Sequence, residues 1–488
     1  MLDLNQLQEK ITQVLAFIKA QDGVEYADLR VNSIETESYS TENMKVQSLN
    51  ASKNLGYGIR VYAQGSMGFA GSQDFTAMEE TAKTALAIAK ATQLTQKNPV
   101  KLSPKKVVKD HYQTPVEIDP FTISKEEKLA LLFEAERLMR EAAPELFRTH
   151  GTLTFRKERK TWADSDGSYI VQDLVESGGG IDAVAITRGE MQTRSYPNSS
   201  RGNFATAGFE FIKAMDLLGN APRVGRECLE LLKAEECPSG IFDLVIAPTQ
   251  LTLQIHESVG HPIELDRVLG YEAGYAGTSF LDSVEPGKFR YGSEHVNIVA
   301  DATAPGGLGT YGYDDDGIPA QRVEVITNGI FHNFISSRDT AGAVGSLSNG
   351  TARADGWGRI PIVRMSNINL LAGKYAFDEL IAGIENGFYL DINRSWSIDD
   401  RRLNFQFACE IAYEIKNGKL TGKIYKNPIY TGITPVFWGS CDGVASQEHW
   451  RFFGTPNCGK GEPSQSAHCG HGSAPARFRG VKVGVADV

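Results

Sequence analysis

The residues best suited to chemistry lie in one run, LQIHESVGHPIELD, from Leu253 to Asp266. Two imidazoles, His256 and His261, bracket the carboxylate of Glu257. Their His-Glu-x-x-x-His spacing is one residue longer than His-Glu-x-x-His, in which two histidines on one helical face hold zinc and the glutamate serves as general base. The extra residue changes the geometry: at about 100° per residue, positions four apart lie ~40° apart around a helix axis and positions five apart ~140°. A straight helix would aim the two rings at different walls. Gly260 relaxes the backbone and Pro262 biases His261 away from helical dihedrals. The spacing therefore predicts a helix capped by Thr249 that breaks near Gly260 and swings His261 back beside His256. The blander reading of the same residues is a pair of hydrogen-bonded core histidines.

Two protein ligands do not complete a catalytic zinc site, which usually takes three and a water. Cys458, within Asn457 to Gly461, is the best candidate for the third, because flanking glycines allow close approach and Lys460 would help hold the thiol as thiolate. Glu264 is its rival. A further reading gathers Cys458, His468, Cys469 and His471 into a separate structural zinc site, although their spacing is not that of a standard zinc module. An ion held by His256, His261 and Cys458 would polarise a scissile carbonyl and acidify a water, whose proton Glu257 would carry to the leaving amine. Glu264 and Asp266 are placed to orient an imidazole N–H from behind, and for Asp266 a surface position at a helix end is an equal alternative. No role follows from sequence for Cys441, His468, Cys469 or His471.

The elements that must position these residues can be read from periodicity. Leu4, Leu7, Ile11, Val14, Leu15 and Ile18 predict an amphipathic helix over residues 3–20, capped by Asp3 or Asn5. Strands follow at 26–32, 45–49 and 56–63, then an alanine-rich helix opened by Asp74 and running to about residue 94. Residues 95–120, with four prolines among lysines, read as a connector. Ser124 and Glu127 form a capping box for a helix to about Glu141, strands return at 151–155, 161–164 and 169–172, and a helix covers 222–235. This repeated order suggests an internal duplication. A short apolar strand, Ile241 to Ala247, then leads into the histidine helix, and Asn-Gly pairs at 328–329 and 417–418 signal hairpins. The expected class is α+β in two domains: residues 1–235 of helices and antiparallel sheet, and a β-rich domain over 236–488 that carries the metal-site helix.

Composition narrows the function. The 488 residues are 41% hydrophobic and 23% charged, as in globular enzymes, and carry a formal charge of −10, which argues against direct nucleic-acid binding. No signal-peptide pattern and no apolar run long enough to span a membrane is present, so a cytoplasmic protein with six reduced cysteines is expected. Gly307 to Gly312 fits G-x-G-x-x-G but is followed by the turn Asp314-Asp315-Asp316-Gly317, not a helix, so a dinucleotide site is rejected. The three aspartates lack calcium-loop spacing and read as a solvated turn. No G-x-S-x-G elbow supports a serine hydrolase.

Nearly the whole chain resembles the TldD/PmbA family, in its metal-carrying TldD type. The resemblance rests on Gly56 to Tyr62, Gly65 to Ala70, His256-Glu257 with His261, Asp314 to Gln321, Pro361 to Asn367, Cys458-Gly459-Lys460 and Pro475 to Arg479. The segment Trp438 to Trp450 and Pro262 depart from the family pattern. The resemblance implies a zinc metallopeptidase with His256, His261 and Cys458 as ligands and Glu257 catalytic, acting on unfolded or extended peptides. It also implies a homodimer or a heterodimer with a related family subunit. The competing expectation is a non-catalytic assembly or binding subunit in which the metal is structural.

Overall fold

The computed structural model describes residues 4–199 and 202–484. Helix α1 (Leu4–Lys19) buries Ile11, Val14, Leu15 and Ile18, the stripe its spacing requires. Its proposed caps, Asp3 and the Asn5 side chain, lie outside the described residues. Strands β1 (Val24–Glu42) and β2 (Lys45–Ala63) are far longer than predicted. The predicted strands 45–49 and 56–63 are the two ends of the single strand β2; residues 50–54 between them run exposed, with no apolar pattern to betray a strand. Strand β3 (Ser66–Ser72) and helix α2 (Met78–Gln93) complete this layer. The alanines of α2 permit very close packing: a Cβ on Gly68 would meet Ala85 O at 2.0 Å.

The connector contributes one short strand not anticipated, β4 (Lys109–Gln113). Helix α3 (Lys125–Ala142) begins where Ser124 Oγ accepts from Glu127 N at 3.1 Å. Strands β5 (Arg148–Asp164), β6 (Tyr169–Thr187), β7 (Glu190–Tyr196) and β8 (Asn203–Ala205) follow, then helices α4 (Phe209–Ala214) and α5 (Leu217–Lys233). Asp216 caps α5 on Gly219 N, so the helix starts a turn before the predicted residue 222 and carries Pro222 inside it. All eight strands form one sheet, β3-β2-β1-β5-β6-β4, with β7 and β8 also on β6. α1 and α2 pack on the first half, α3 and α5 on the second, each over its own apolar cluster. The first half runs helix, three antiparallel strands, helix; the second repeats this order with an extra short strand, β8, and an extra short helix, α4, and the halves join where β1 pairs β5.

Beyond residue 234 the chain is β-rich. The main sheet runs Asn386–Ile398, Gly240–Ile246, Ala476–Val483, Ile429–Ile433, Asn404–Lys416, Lys419–Lys426 and Glu235–Glu236. The Asn386–Ile398 strand also pairs with Asn404–Lys416, so the first five strands close on themselves around Leu244, Ile246, Phe407, Tyr430 and Phe478. Both Asn-Gly hairpins place both residues at positive φ, 49° and 76° at Asn328-Gly329 and 48° and 72° at Asn417-Gly418, the dihedrals a two-residue turn demands. The fold is thus α+β, a helix-and-sheet N-terminal part followed by a β-rich C-terminal part. No described helix is long and apolar enough to cross a membrane, and all six cysteines are free.

The seam between the two parts overturns one expectation. Asp314, Asp315 and Asp316 are not a solvated turn; all are 2% exposed or less. Asp316 pairs with Arg60 of β2 at 2.6 Å, and Asp315 with Lys160 of β5 at 2.8 Å and Arg30 of β1 at 3.9 Å. Asp314 accepts the backbone N–H groups of Asp316, Ile318 and Ala352 at 2.8–3.0 Å. Gly317, at φ +75°, leaves no room for a Cβ, which would meet the Trp162 ring at 2.3 Å.

Candidate metal centre

Helix α6 (Pro248–Ile255) begins after Ala247, whose φ of −66° and ψ of 154° make it the cap, and Pro248 takes the first position, where a missing N–H costs nothing. Thr249, expected as the cap, instead donates Oγ1 to Asp391 Oδ1 at 2.6 Å. The helix does not break at Gly260. Over His256–Gly260 it widens into a π turn closed by His261 N–H to His256 O at 3.1 Å, and His261 keeps helical dihedrals, φ −67° and ψ −41°. An i→i+5 bond stacks residue 261 on residue 256, as an ordinary turn stacks i+4 on i. The widened turn absorbs the extra residue of the motif, and the two rings stand 4.8 Å apart, centroid to centroid, at 88°. Gly260 serves packing rather than flexibility: a Cβ there would meet Met365 Sδ at 2.0 Å. Trp438 Nε1 and Gln254 Nε2 each donate to Ser258 Oγ at 2.9 Å, and Tyr291 OH donates to Ser258 O, so the π turn is braced from three directions.

Cys458 lies not in a glycine loop but on the strand Arg451–Lys460, paired with Gln465–Ser473. The register slips between Thr455 and Cys458, an irregularity of the kind that re-aims a side chain. Its neighbour Gly459 is open enough to take a Cβ, so close approach is not its purpose. The donor atoms of His256, His261 and Cys458 all fall within 4.8 Å of one another, and all three residues are buried. Donors around tetrahedral zinc stand roughly 3.3–3.8 Å apart, so the set needs only about 1 Å of contraction to close on an ion.

Behind the ligand atoms each imidazole has a partner. His261 Nδ1 bonds Glu264 Oε2 at 2.9 Å, leaving Nε2 facing Cys458 Sγ at 3.6 Å. His256 Nδ1 bonds His471 Nε2 at 2.7 Å, and His471 Nδ1 reaches Ile368 O at 3.2 Å. A carbonyl only accepts, so His471 Nδ1 donates, its Nε2 accepts from His256, and His256 is left with Nε2 free for a cation. Asp266 does not touch an imidazole. It is buried and bonds Lys460 Nζ at 2.7 Å, with Glu264 on the same ammonium at 3.3 Å. Lys460 therefore faces these acids rather than the thiol. The four-residue structural site is not assembled, because His468 turns away to Glu176 Oε2 at 2.6 Å.

The electrostatics follow this placement. The neighbouring Cys469, together with His256, Arg364 and His261, holds the Cys458 thiol well below its ordinary range despite burial. Burial opposes protonation of His256, but facing Cys458 and the carboxylates of Glu257 and Glu264 outweigh it and raise its pKa. Burial and the neighbouring His256 keep His471 well below the usual imidazole value, so it stays neutral. Burial pushes Asp266 up to about 6, against Lys460.

His256, Glu257, His261 and Cys458 open on a cleft of about 460 Å³, walled by Trp396 to Ile398 on one side and Gly454 to Gly459 on the other. Arg402, which sequence reasoning did not single out, lines the same cleft and pairs through Nη1 with Glu257 Oε2. His471 and Trp438 were likewise given no place at this site. Their partners lie 215 and 180 residues away in sequence, and no local signal joins them.

Comparison with known proteins identifies the family. Residues 27–89, 118–234 and 239–483 match, in turn, domain 1, the central domain and the C-terminal domain of the PmbA/TldA metallopeptidases. A metalloprotease of Methanocaldococcus jannaschii is 31% identical over 399 residues, 81% of this chain and 84% of that protein. One from Methanothermobacter thermautotrophicus is 30% identical over 466 residues, 95% of this chain and 96% of that protein. In fold, a Thermotoga maritima chain superposes with a TM-score of 0.76 at 16% identity, covering 98% of this chain and 100% of that one. TldE from Thermococcus kodakarensis gives 0.73 at 14%, again over 98% and 100%. With its C-terminal half matched throughout and these archaeal relatives aligned over most of their length, the chain belongs to the TldD/PmbA metallopeptidase family.

Proposed function

We propose that this chain is a zinc-dependent peptidase in which His256, His261 and Cys458 hold the ion and Glu257 moves the proton. The observation that carries the reading is the convergence of two imidazole nitrogens and one low-pKa sulfur beside a carboxylate, at the edge of an open cleft. Two nitrogens and a thiolate suit zinc, and a set of three protein donors leaves the fourth position that catalytic sites keep open. When bound, zinc supplies Lewis acidity toward a carbonyl and acidifies a water. Glu264 and the His471–Ile368 pair fix the tautomers of the two histidines. Glu257, adjoining His256, takes a proton from the attacking water and delivers it to the leaving nitrogen as the C–N bond breaks. The extended backbone on both cleft walls favours unfolded or extended peptides as substrate. A dimer, with itself or with a related subunit, is part of the same proposal.

The test is digestion of a disordered protein by the zinc-loaded chain, read by mass spectrometry. Glu257→Gln should lower the rate by about 10²–10⁴ with zinc content unchanged. Undiminished cleavage by that variant would refute the mechanism. A second reading, a structural ion in a non-catalytic subunit, is favoured by the burial of all three donors. It predicts no cleavage by the wild type and a lower Tm on chelation.

A further inference from the structure

Arg402 is the one cation among the described residues lining the cleft. Its predecessor Arg401 is occupied elsewhere, on Asp282 at the surface. Arg402 sits in the left-handed region at φ +64°, a conformation disfavoured for any residue with a Cβ. A built turn holds it there. The Asp399 carboxylate accepts Leu403 N and Asn404 N at 2.8 and 3.0 Å, Asp399 O accepts Arg402 N at 2.9 Å, and Thr434 Oγ1 donates to Arg402 O at 2.8 Å. The side chain this turn delivers is 16% exposed; Nη1 donates to Glu257 Oε2, while the buried Nε has no acceptor. A buried arginine donor without an acceptor is costly. Nε is closed to solvent, so a group in the cleft that Arg402 lines meets its terminal N–H groups.

We infer that Arg402 is a second catalytic group: its guanidinium holds the Glu257 carboxylate through Nη1, and its other terminal N–H groups donate to the carbonyl oxygen of the bond being cut. The inference rests on the peptidase reading. Glu257 must reach the attacking water, so a guanidinium bonded to Glu257 stands beside the carbon under attack. As the water oxygen bonds to that carbon, the carbonyl electron pair moves onto oxygen, where the N–H groups of Arg402 stabilise it. The pair returns as the C–N bond breaks, and the amine leaves with the proton Glu257 delivers. The planar fork of arginine serves both partners at once, which a lysine ammonium at this distance does not.

The experiment uses the zinc-loaded full chain, one disordered peptide in free-acid and C-terminally amidated forms, and a phosphinic analogue of the same sequence. Arg402→Gln should lower kcat by about 10²–10³ on both peptides, the usual effect of one missing oxyanion donor, with KM changed by no more than about threefold. It should weaken the phosphinic analogue by a similar factor in calorimetry, while affinity for a product peptide and zinc per chain stay at wild-type values. Arg402→Lys should recover little. Wild-type kcat in Arg402→Gln overturns the inference, as does full rescue by lysine, which would leave Arg402 only a positioning residue for Glu257. A loss confined to KM on the free-acid peptide also overturns it and makes Arg402 an anchor for a chain terminus. A wild-type chain that neither cleaves peptide nor binds the analogue overturns the peptidase reading, and the inference falls with it.

Discussion

The Asp314–Asp316 turn and the His256–Cys458 cluster are both buried and both polar, but the chain neutralises them to different extents. Around the turn, Arg30, Arg60 and Lys160 arrive from three strands of the N-terminal part, and backbone N–H groups take the remaining carboxylate. Lys160 and Arg30 hold Asp315 below its usual range against burial, whereas Asp314, given only N–H groups, is pushed well up by burial and by Asp316. Around the cluster the same closure is made only on the far side. Lys460 and Arg267 face Glu264, and Lys460 also faces Asp266. On the near side two imidazole nitrogens and a sulfur converge, with no carboxylate–cation pair closing the thiol, whose pKa His256, Arg364 and His261 hold down. A buried polar group that the chain itself satisfies belongs to structure; donors left converging without a cation mark a ligand site.

The largest effect should come from breaking the open cluster. Cys458→Ala should abolish zinc retention, from about one ion per chain to none after dialysis, and peptidase activity with it, while circular dichroism shows the fold intact. Metal analysis of the purified variant checks this. Breaking the closed cluster should act in the opposite sense. Arg60→Ala strands Asp28 and Asp316, both buried against it at 2.8 and 2.6 Å. Removing one partner of a buried pair costs about 3–5 kcal/mol, to be read by urea denaturation, with zinc content unchanged. A loss below about 1 kcal/mol would return the turn to a solvated role.

The two clusters also differ in how much of them sequence could tell. His256, Glu257 and His261 announce themselves because the chemistry is local. The π turn does not, since widening by one residue depends on Trp438 and Tyr291 bracing Ser258, far along the chain. Cys458 stood out for its glycines, yet its position is set by a strand irregularity that composition does not show. The aspartate turn looked solvated because three acids beside a glycine usually are. Its cations lie 155 residues or more upstream, and only the folded sheet brings them in. In the same way β2 was legible at 45–49 and 56–63 but not across the exposed residues between them, which carry no apolar alternation.

A smaller effect should appear just behind the ligands. His471→Phe keeps a flat ring but removes the nitrogen that accepts from His256 Nδ1. Zinc affinity, measured by competition with a chelator, should fall about 10–100-fold, with stability of the metal-free chain little changed. If affinity is unaltered, the His256 tautomer is fixed by something other than His471.

The smallest effect tests how complete closure by the chain is. Arg194 of β7 faces three carboxylates at once, Glu227, Asp391 and Glu410, at 2.7, 2.7 and 3.2 Å. One cation shared three ways does not offset burial, and Glu410 is pushed up to about 6 even though Ser195 donates to it through N and Oγ. Glu158, beside Arg156 and Lys160, is held down at about 2 although burial raises it. The two must therefore act on stability in opposite senses. Between pH 4.5 and about 6 the folded state keeps a proton on Glu410 that the unfolded chain has released, so stability falls as pH rises, by about 2 kcal/mol. Glu158 contributes stability above pH 4.5 that is lost as pH drops toward 2. Glu410→Gln should make the first slope shallower than in the wild type, by about 2 kcal/mol over denaturation curves taken from pH 4.5 to 6.5, with the raised Asp266 and Asp314 supplying what remains, and leave the acid limb in place. If the slope is the same in variant and wild type, Arg194 satisfies Glu410 fully, and closure at that seam is as complete as around Asp315.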